Sequence, residues 1–256
     1  MNIVGIIPAR MASSRFPGKP MKEILGIPMI GHCYKRSKMC DLLDEVYVAT
    51  CDREIEDYIS GIGGKAIMTS ESHERASDRT AEALLKIENI TGTKVDIVVM
   101  LQGDEPMTTP IMIKSAVEPL IENKNIKITN LYSKIKTTSE FEDPNEVKVV
   151  MDNNQFALYF SREPIPSRKK GFPDVPMYKQ VCIIPFQRDF LLEYNSMKQT
   201  PLEIIESVDM MRVLEYGLQV KMVMIENTTY AVDTIKDLQH VEKLMKDDTL
   251  LEEYTE

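Results

Sequence analysis

Along the first half of the chain, short apolar runs alternate with segments of helical spacing. Asn2–Pro8 is a short apolar run, Glu45–Thr50 is β-branched, and Asp96–Leu101 is continuously apolar, so each predicts a strand. Ala66–Thr69 predicts a further short strand, closed off by Gly61, Gly63 and Gly64 from a helix over Arg53–Ile62. Pro28–Lys38 and Arg79–Ile90 carry apolar residues at helical spacing. Strands that alternate with helices predict parallel βαβ units with helices on both faces. Continuous apolarity in Ile3–Ile7 and Ile97–Leu101 predicts central strands covered on both sides.

The middle of the chain is richer in strand patterns: Ile126–Ile135, Val147–Met151, Ala157–Ser161 and Gln180–Phe186. They predict a β-rich lobe over about 125–200 within a single domain spanning 1–256, with a long loop marked by Pro164, Pro166, Pro173 and Pro176. Helices return over Pro201–Tyr216, where Ile204, Val208, Met211 and Leu214 share a face. After the strand Val220–Ile225, a last helix opens at Thr234 with Asp237 three residues on, and buries Leu238, Val241, Leu244 and Met245.

Composition changes this picture only by exclusion. With 31 Lys and Arg against 40 Asp and Glu, the net charge is −9, which repels phosphate backbones and argues against nucleic-acid partners. No run approaches the roughly 18 apolar residues of a membrane span, and the first residues read as a strand rather than a signal, so a cytoplasmic location is expected. The 4 cysteines are scattered without a Cys-x-x-Cys pair and read as free thiols. The 3 histidines, His32, His73 and His240, lie too far apart to read as a metal cluster.

Two segments carry chemistry. After the first strand comes Pro8-Ala9-Arg10-Met11-Ala12-Ser13-Ser14-Arg15-Phe16-Pro17-Gly18-Lys19-Pro20, which offers three cations and two hydroxyls but no carboxylate. A loop of that composition at the carboxyl edge of an α/β sheet suits a polyphosphate. Ser13 stands where a phosphate loop has its first glycine and Pro20 follows the lysine, so the standard phosphate-loop pattern is absent. The second segment, Gln102-Gly103-Asp104-Glu105-Pro106, follows the continuous apolar strand and offers carboxylates for a hard cation such as Mg²⁺. Asp233, just ahead of the last helix, is either a second such ligand or a plain helix N-terminal acid.

These segments resemble the CMP-Kdo synthetases, the 3-deoxy-manno-octulosonate cytidylyltransferases. The likeness continues through Asn145–Val150, Ala157–Pro166, Pro201–Glu203 and Val232–Thr234. It implies a nucleotide-diphospho-sugar transferase (Rossmann-like) α/β fold with a mixed, mostly parallel sheet, a homodimer, and attack of a sugar-acid hydroxyl on the α-phosphorus of CTP. It further implies that Pro8, Ala9, Arg10, Ser13, Arg15, Lys19, Arg79 and Gln102 bind the nucleotide. Lys19, Arg15 and Asp104 become the catalytic set, and Asp104 with Asp233 the Mg²⁺ ligands. The β-rich lobe becomes the acceptor-binding and dimerisation part, with Arg162, Gln180, Ile184, Asp209 and Met210 at the acceptor. There the family pattern is broken, since Gln180, Ile184 and Met210 stand where the relatives carry hydrogen-bonding groups, which implies an altered acidic acceptor. Another nucleotide or acceptor on the same fold, and a non-catalytic nucleotide-binding descendant, stand as alternatives.

Overall fold

The computed structural model describes residues 1–12, 16–171, 174–226 and 229–255, and the chain divides into two compact units, 1–114 with 229–256 and 115–228.

In the first unit, β1 (Ile3–Pro8) is followed by a 3₁₀ turn (Lys19–Met21), a small hairpin of β2 (Glu23–Ile24) and β3 (Ile27–Pro28), and α1 (Met29–Lys38). Then come β4 (Glu45–Thr50), α2 (Arg53–Gly61), β5 (Lys65–Met68), α3 (Ala76–Thr91) and β6 (Ile97–Met100). The strands lie in the order β6-β1-β4-β5, and every pairing is parallel. Continuous apolarity has the expected cause: Ile6 and Ile7 of β1, and Val98 and Val99 of β6, are fully buried. From β1 the chain winds outward through β4 to β5, then returns to lay β6 on the other side of β1. That reversal makes the gap between the carboxyl ends of β1 and β6 a topological switch point, the place where open α/β sheets take ligands. α3 begins at Ala76, three residues before the helix the periodicity marks.

The unit is completed from the end of the chain. α9 (Ile235–Met245) buries Val241 and Met245 in a cluster with Phe16, Ile24, Met29 and Val232. Its expected Thr234–Asp237 capping box forms. A 3₁₀ turn (Thr249–Leu251) and the short α10 (Glu252–Thr255) close the chain.

α4 (Pro110–Glu122), which the sequence reading did not mark, precedes the second unit's sheet. That unit contains β7 (Thr129–Lys134), α5 (Thr138–Glu142), β8 (Lys148–Met151), β9 (Ala157–Ser161), β10 (Tyr178–Val181) and β11 (Ile184–Gln187). It continues with α6 (Arg188–Ser196), α7 (Pro201–Glu206), α8 (Met210–Glu215) and β12 (Lys221–Ile225). Its sheet runs β12-β7-β10-β8-β9, antiparallel except for the β12–β7 pair. Two expectations are corrected here. Gln180–Phe186 is not one strand, because the chain turns at Ile183, whose N–H returns to the carbonyl of Val181 at 2.9 Å. Over Pro201–Tyr216 the four apolar residues do not share one face: Ser207 adopts the left-handed conformation (φ 52°, ψ 47°), and its N–H and that of Val208 both return to the carbonyl of Glu203. The break leaves Ile204 59% exposed, off the face it shares by periodicity with Met211.

Candidate active site

The first unit assembles its functional residues from three separate stretches of chain. After β1, Ala9 N–H donates to the carbonyl of Ala49, which keeps the chain along β4, and the Gly18 N–H closes the loop back onto the carbonyl of Met11 at 3.0 Å. Gly18 sits at φ 69°, a conformation a side chain disfavours, and it launches the proline-containing 3₁₀ turn whose first residue is Lys19. After β6, Gly103 presses so closely on β1 that a Cβ there would lie 3.1 Å from the carbonyl oxygen of Pro8. This contact sets the Gln102–Asp104 turn against Pro8 and Ala9. The third stretch is anchored by Val232, whose N–H donates to the carbonyl of Asp104 at 2.9 Å. The capping-box carboxylate of Asp237 then takes the N–H of Asp233 at 3.1 Å.

The three stretches converge on one nitrogen. Lys19 Nζ lies 2.6 Å from Asp104 Oδ2 and 3.2 Å from Asp233 Oδ1. The lysine side chain is 12% exposed and the carboxylates 29% and 26%. Burial by itself lowers the Lys19 pKa, but the charges and hydrogen bonds of Asp104 and then Asp233 outweigh it, so the ammonium is held above its ordinary value. The two acids that the sequence placed after the apolar strand part company. Asp104 turns to Lys19, whereas Glu105 is 5% exposed and accepts from Thr229 Oγ1.

Arg10 and Arg79 meet at one turn, both donating to the carbonyl of His73, at 3.4 and 3.5 Å. Arg10 is exposed at the strand end. Arg79 is 2% exposed and also bonds Thr69 Oγ1, so it ties α3 to the end of β5 instead of presenting an open cation. Gln102 is half-buried beside Gly103. Ser13 and Arg15 lie outside the described residues. Among the described residues, no group of three or more His, Cys, Asp or Glu side chains gathers as a metal cage. The Asp104–Asp233 pair is a sparser donor set, and it suits Mg²⁺, which binds one or two carboxylates and completes its shell with water and phosphate oxygens.

In the second unit, the residues expected at the acceptor are mostly spent on structure. Ile184 and Met210 are 3% and 0% exposed. Arg162 donates Nε to the carbonyl of Glu206 (2.7 Å), Nη1 to that of Pro144 (2.8 Å) and Nη2 to that of Ser207 (3.3 Å), capping the last turn of α7. Gln180 is half-buried and donates Nε2 to Asn130 Oδ1. The carbonyl of Asp209 takes the Tyr194 hydroxyl at 3.1 Å. Sequence reasoning missed the strongest polar feature of this unit. Arg212 grips Glu203 with two hydrogen bonds, Nε–Oε2 at 2.7 Å and Nη2–Oε1 at 2.6 Å, with side chains 3% and 0% exposed. The signal for it was the Pro-Leu-Glu motif at Pro201–Glu203 with the arginine nine residues on.

A cytidylyltransferase family model matches residues 4–227. A 3-deoxy-manno-octulosonate cytidylyltransferase of Trichlorobacter lovleyi is 43% identical over 256 residues, covering 96% of this chain and 99% of the relative. The Fusobacterium nucleatum enzyme of the same name is 41% identical, covering 98% and 99%. Among solved structures, a CMP:2-keto-3-deoxy-manno-octonic acid synthetase in complex with CTP superposes with a TM-score of 0.89 at 35% identity, over 97% of this chain and 100% of the other. A glucose-1-phosphate thymidylyltransferase from Bacillus anthracis shares the fold alone, at a TM-score of 0.66 and 17% identity. The chain is therefore a nucleotidyltransferase of the cytidylyltransferase family, and belongs within it to the 3-deoxy-manno-octulosonate cytidylyltransferases.

Proposed function

We propose that this protein joins CTP to an acidic sugar of the 3-deoxy-manno-octulosonate class, giving a CMP-sugar and pyrophosphate, with Mg²⁺ as its metal. The observation that carries the reading is the Lys19 ammonium held between Asp104 and Asp233 at the β1/β6 switch point. A hydroxyl oxygen of the sugar forms the new bond to the α-phosphorus as the bond to the bridging oxygen of the pyrophosphate breaks, and the hydroxyl proton passes to solvent water. Arg10 and Lys19 bind the phosphates, and Lys19 offsets charge building on the departing pyrophosphate. Ser13 and Arg15 belong to the same proposed set, and Arg79 acts on it through the His73 turn. Asp104 and Asp233 would hold the metal, which would supply positive charge to the phosphates. A homodimer belongs to the same reading, as the family resemblance implies. The free thiols fit a cytoplasmic location, and no helix among the described residues is long and apolar enough to cross a membrane.

The same reading includes an altered acceptor, supported by Gln180, Ile184 and Met210, which stand where the family carries hydrogen-bonding groups. Pyrophosphate release with CTP, Mg²⁺ and 3-deoxy-manno-octulosonate tests both. A kcat/KM of about 10⁴ M⁻¹s⁻¹ or more with that sugar would overturn the altered acceptor and leave cytidylyl transfer standing. Weak turnover of that sugar beside strong turnover of another sugar acid would establish the altered acceptor, and release with none of a panel of sugar acids would overturn the proposal.

A further inference from the structure

The end of the chain reaches back onto α1 through polar contacts. Tyr254 Oη lies 2.8 Å from His32 Nδ1 and 3.0 Å from Arg36 Nε, and the Tyr254 carbonyl accepts from Lys35 Nζ at 3.0 Å. The Tyr254 ring stands edge-on to the imidazole, with centroids 5.7 Å apart, and faces the Arg36 guanidinium at 5.5 Å. Arg36 Nη2 pairs with Asp248, in the turn before α10. His32 and Arg36 are both 0% exposed, so water cannot replace a partner that either one loses.

With a neutral His32 ring, the Ile24 carbonyl sets the protons of this cluster. His32 Nε2 lies 2.8 Å from the carbonyl of Ile24, and a carbonyl only accepts, so Nε2 carries the hydrogen. Nδ1 is then an acceptor and takes the phenol hydrogen, while the phenol oxygen takes the Arg36 Nε hydrogen. Burial pushes the His32 pKa down, in keeping with a neutral ring, and outweighs the hydrogen bond to Ile24. Without the hydroxyl, a buried acceptor and a buried donor both lose their partner at once.

What Tyr254 fixes reaches both sides of the site. His32 holds the Ile24 carbonyl, in the hairpin that follows the Lys19 turn. Arg36 Nη1 reaches the Thr108 carbonyl at 3.4 Å, four residues beyond Asp104. We propose that Tyr254 is a positioning residue of the transferase reaction: its hydroxyl, acting through His32 and Arg36, sets the Lys19 turn against the Asp104 turn. The proposal rests on the reading of Lys19 and Asp104 as groups at the reacting centre.

The test is Tyr254→Phe in the full chain, which keeps the ring and removes only the hydroxyl. Turnover with CTP, Mg²⁺ and 3-deoxy-manno-octulosonate is measured at a temperature where circular dichroism shows the variant folded. A kcat lowered about ten-fold with CTP KM unchanged is expected, since displacement of reacting groups by a fraction of an ångström acts on the transition state. Hydrogen exchange should quicken at Met29, whose N–H bonds the Lys22 carbonyl at the end of the Lys19 turn. Wild-type kcat in the folded variant overturns the proposal even if its melting temperature has dropped, because the contact is then structural only. If the variant does not fold, Asp248→Asn, which loosens Arg36 from its more exposed side, is read by the same criterion. An inactive wild type would instead overturn the proposed reaction, so the two failures are distinct.

Discussion

Replacing Lys19 by methionine should move metal binding and turnover in opposite directions. At an effective dielectric of about 20, the bare attraction is about 6 kcal/mol to Asp104 at 2.6 Å and about 5 kcal/mol to Asp233 at 3.2 Å. Desolvation of an ammonium that is 12% exposed offsets much of this, yet its pKa remains raised, so the net interaction is favourable. Because both carboxylates touch the same nitrogen, their near oxygens lie within about 6 Å of each other, where the repulsion left in Lys19→Met is about 3 kcal/mol. A divalent cation relieves that repulsion and no longer competes with the ammonium. If half to most of it appears as affinity, Mn²⁺ binds the nucleotide-free variant about 10- to 100-fold more tightly than the wild type. Turnover falls about 10²- to 10³-fold, the usual effect of removing a group that stabilises developing charge. Electron paramagnetic resonance titration of Mn²⁺ and pyrophosphate release at saturating CTP read the two quantities separately. Unchanged or weaker Mn²⁺ binding would refute the electrostatic account of the site, and near-normal turnover would refute the role of Lys19 on the phosphates.

Two further outcomes concern stability. Glu203→Gln strips the charge from the partner of the buried Arg212, and should cost about 3–5 kcal/mol in urea unfolding; a loss below about 1 kcal/mol would show that the pair is not the anchor of α7 and α8. Glu45 lies between Lys38 and Lys65; burial alone would raise its carboxyl, but their hydrogen bonds hold it at about 2, below its ordinary 4.5. A depressed folded-state pKa stabilises above the unfolded value and is lost as pH falls through the folded one. The wild type should therefore exceed Glu45→Gln in urea midpoint at pH 6, and that margin should shrink from about pH 4.5 toward pH 2. A margin independent of pH would place the effect elsewhere than in the carboxylate.

The parallel core of the first unit and the two polar loops at its edge are legible in the amino-acid pattern alone. Strands buried on both faces must be apolar throughout, so β1 and β6 are visible in Ile3–Ile7 and Ile97–Leu101. Residues at their carboxyl ends are then at a ligand edge whatever their partners. The Thr234–Asp237 cap was equally legible, because it is made within a single turn. Only the tertiary structure decided which polar groups are spent. Whether Arg162 faces a ligand or a helix end depends on where the carbonyls of Pro144, Glu206 and Ser207 arrive, which no local pattern encodes. The same holds for Asp233: its local pattern leaves a ligand and a plain helix acid both open, and only the fold brings Lys19 from the other end of the chain to it. The break at Ser207 is invisible in the spacing of Ile204, Val208, Met211 and Leu214, because a period counted along the sequence does not register a left-handed residue between two helices. Ile184 and Met210 show the same limit at the acceptor: the sequence marks them only as apolar, and the fold is what buries them to 3% and 0% exposure.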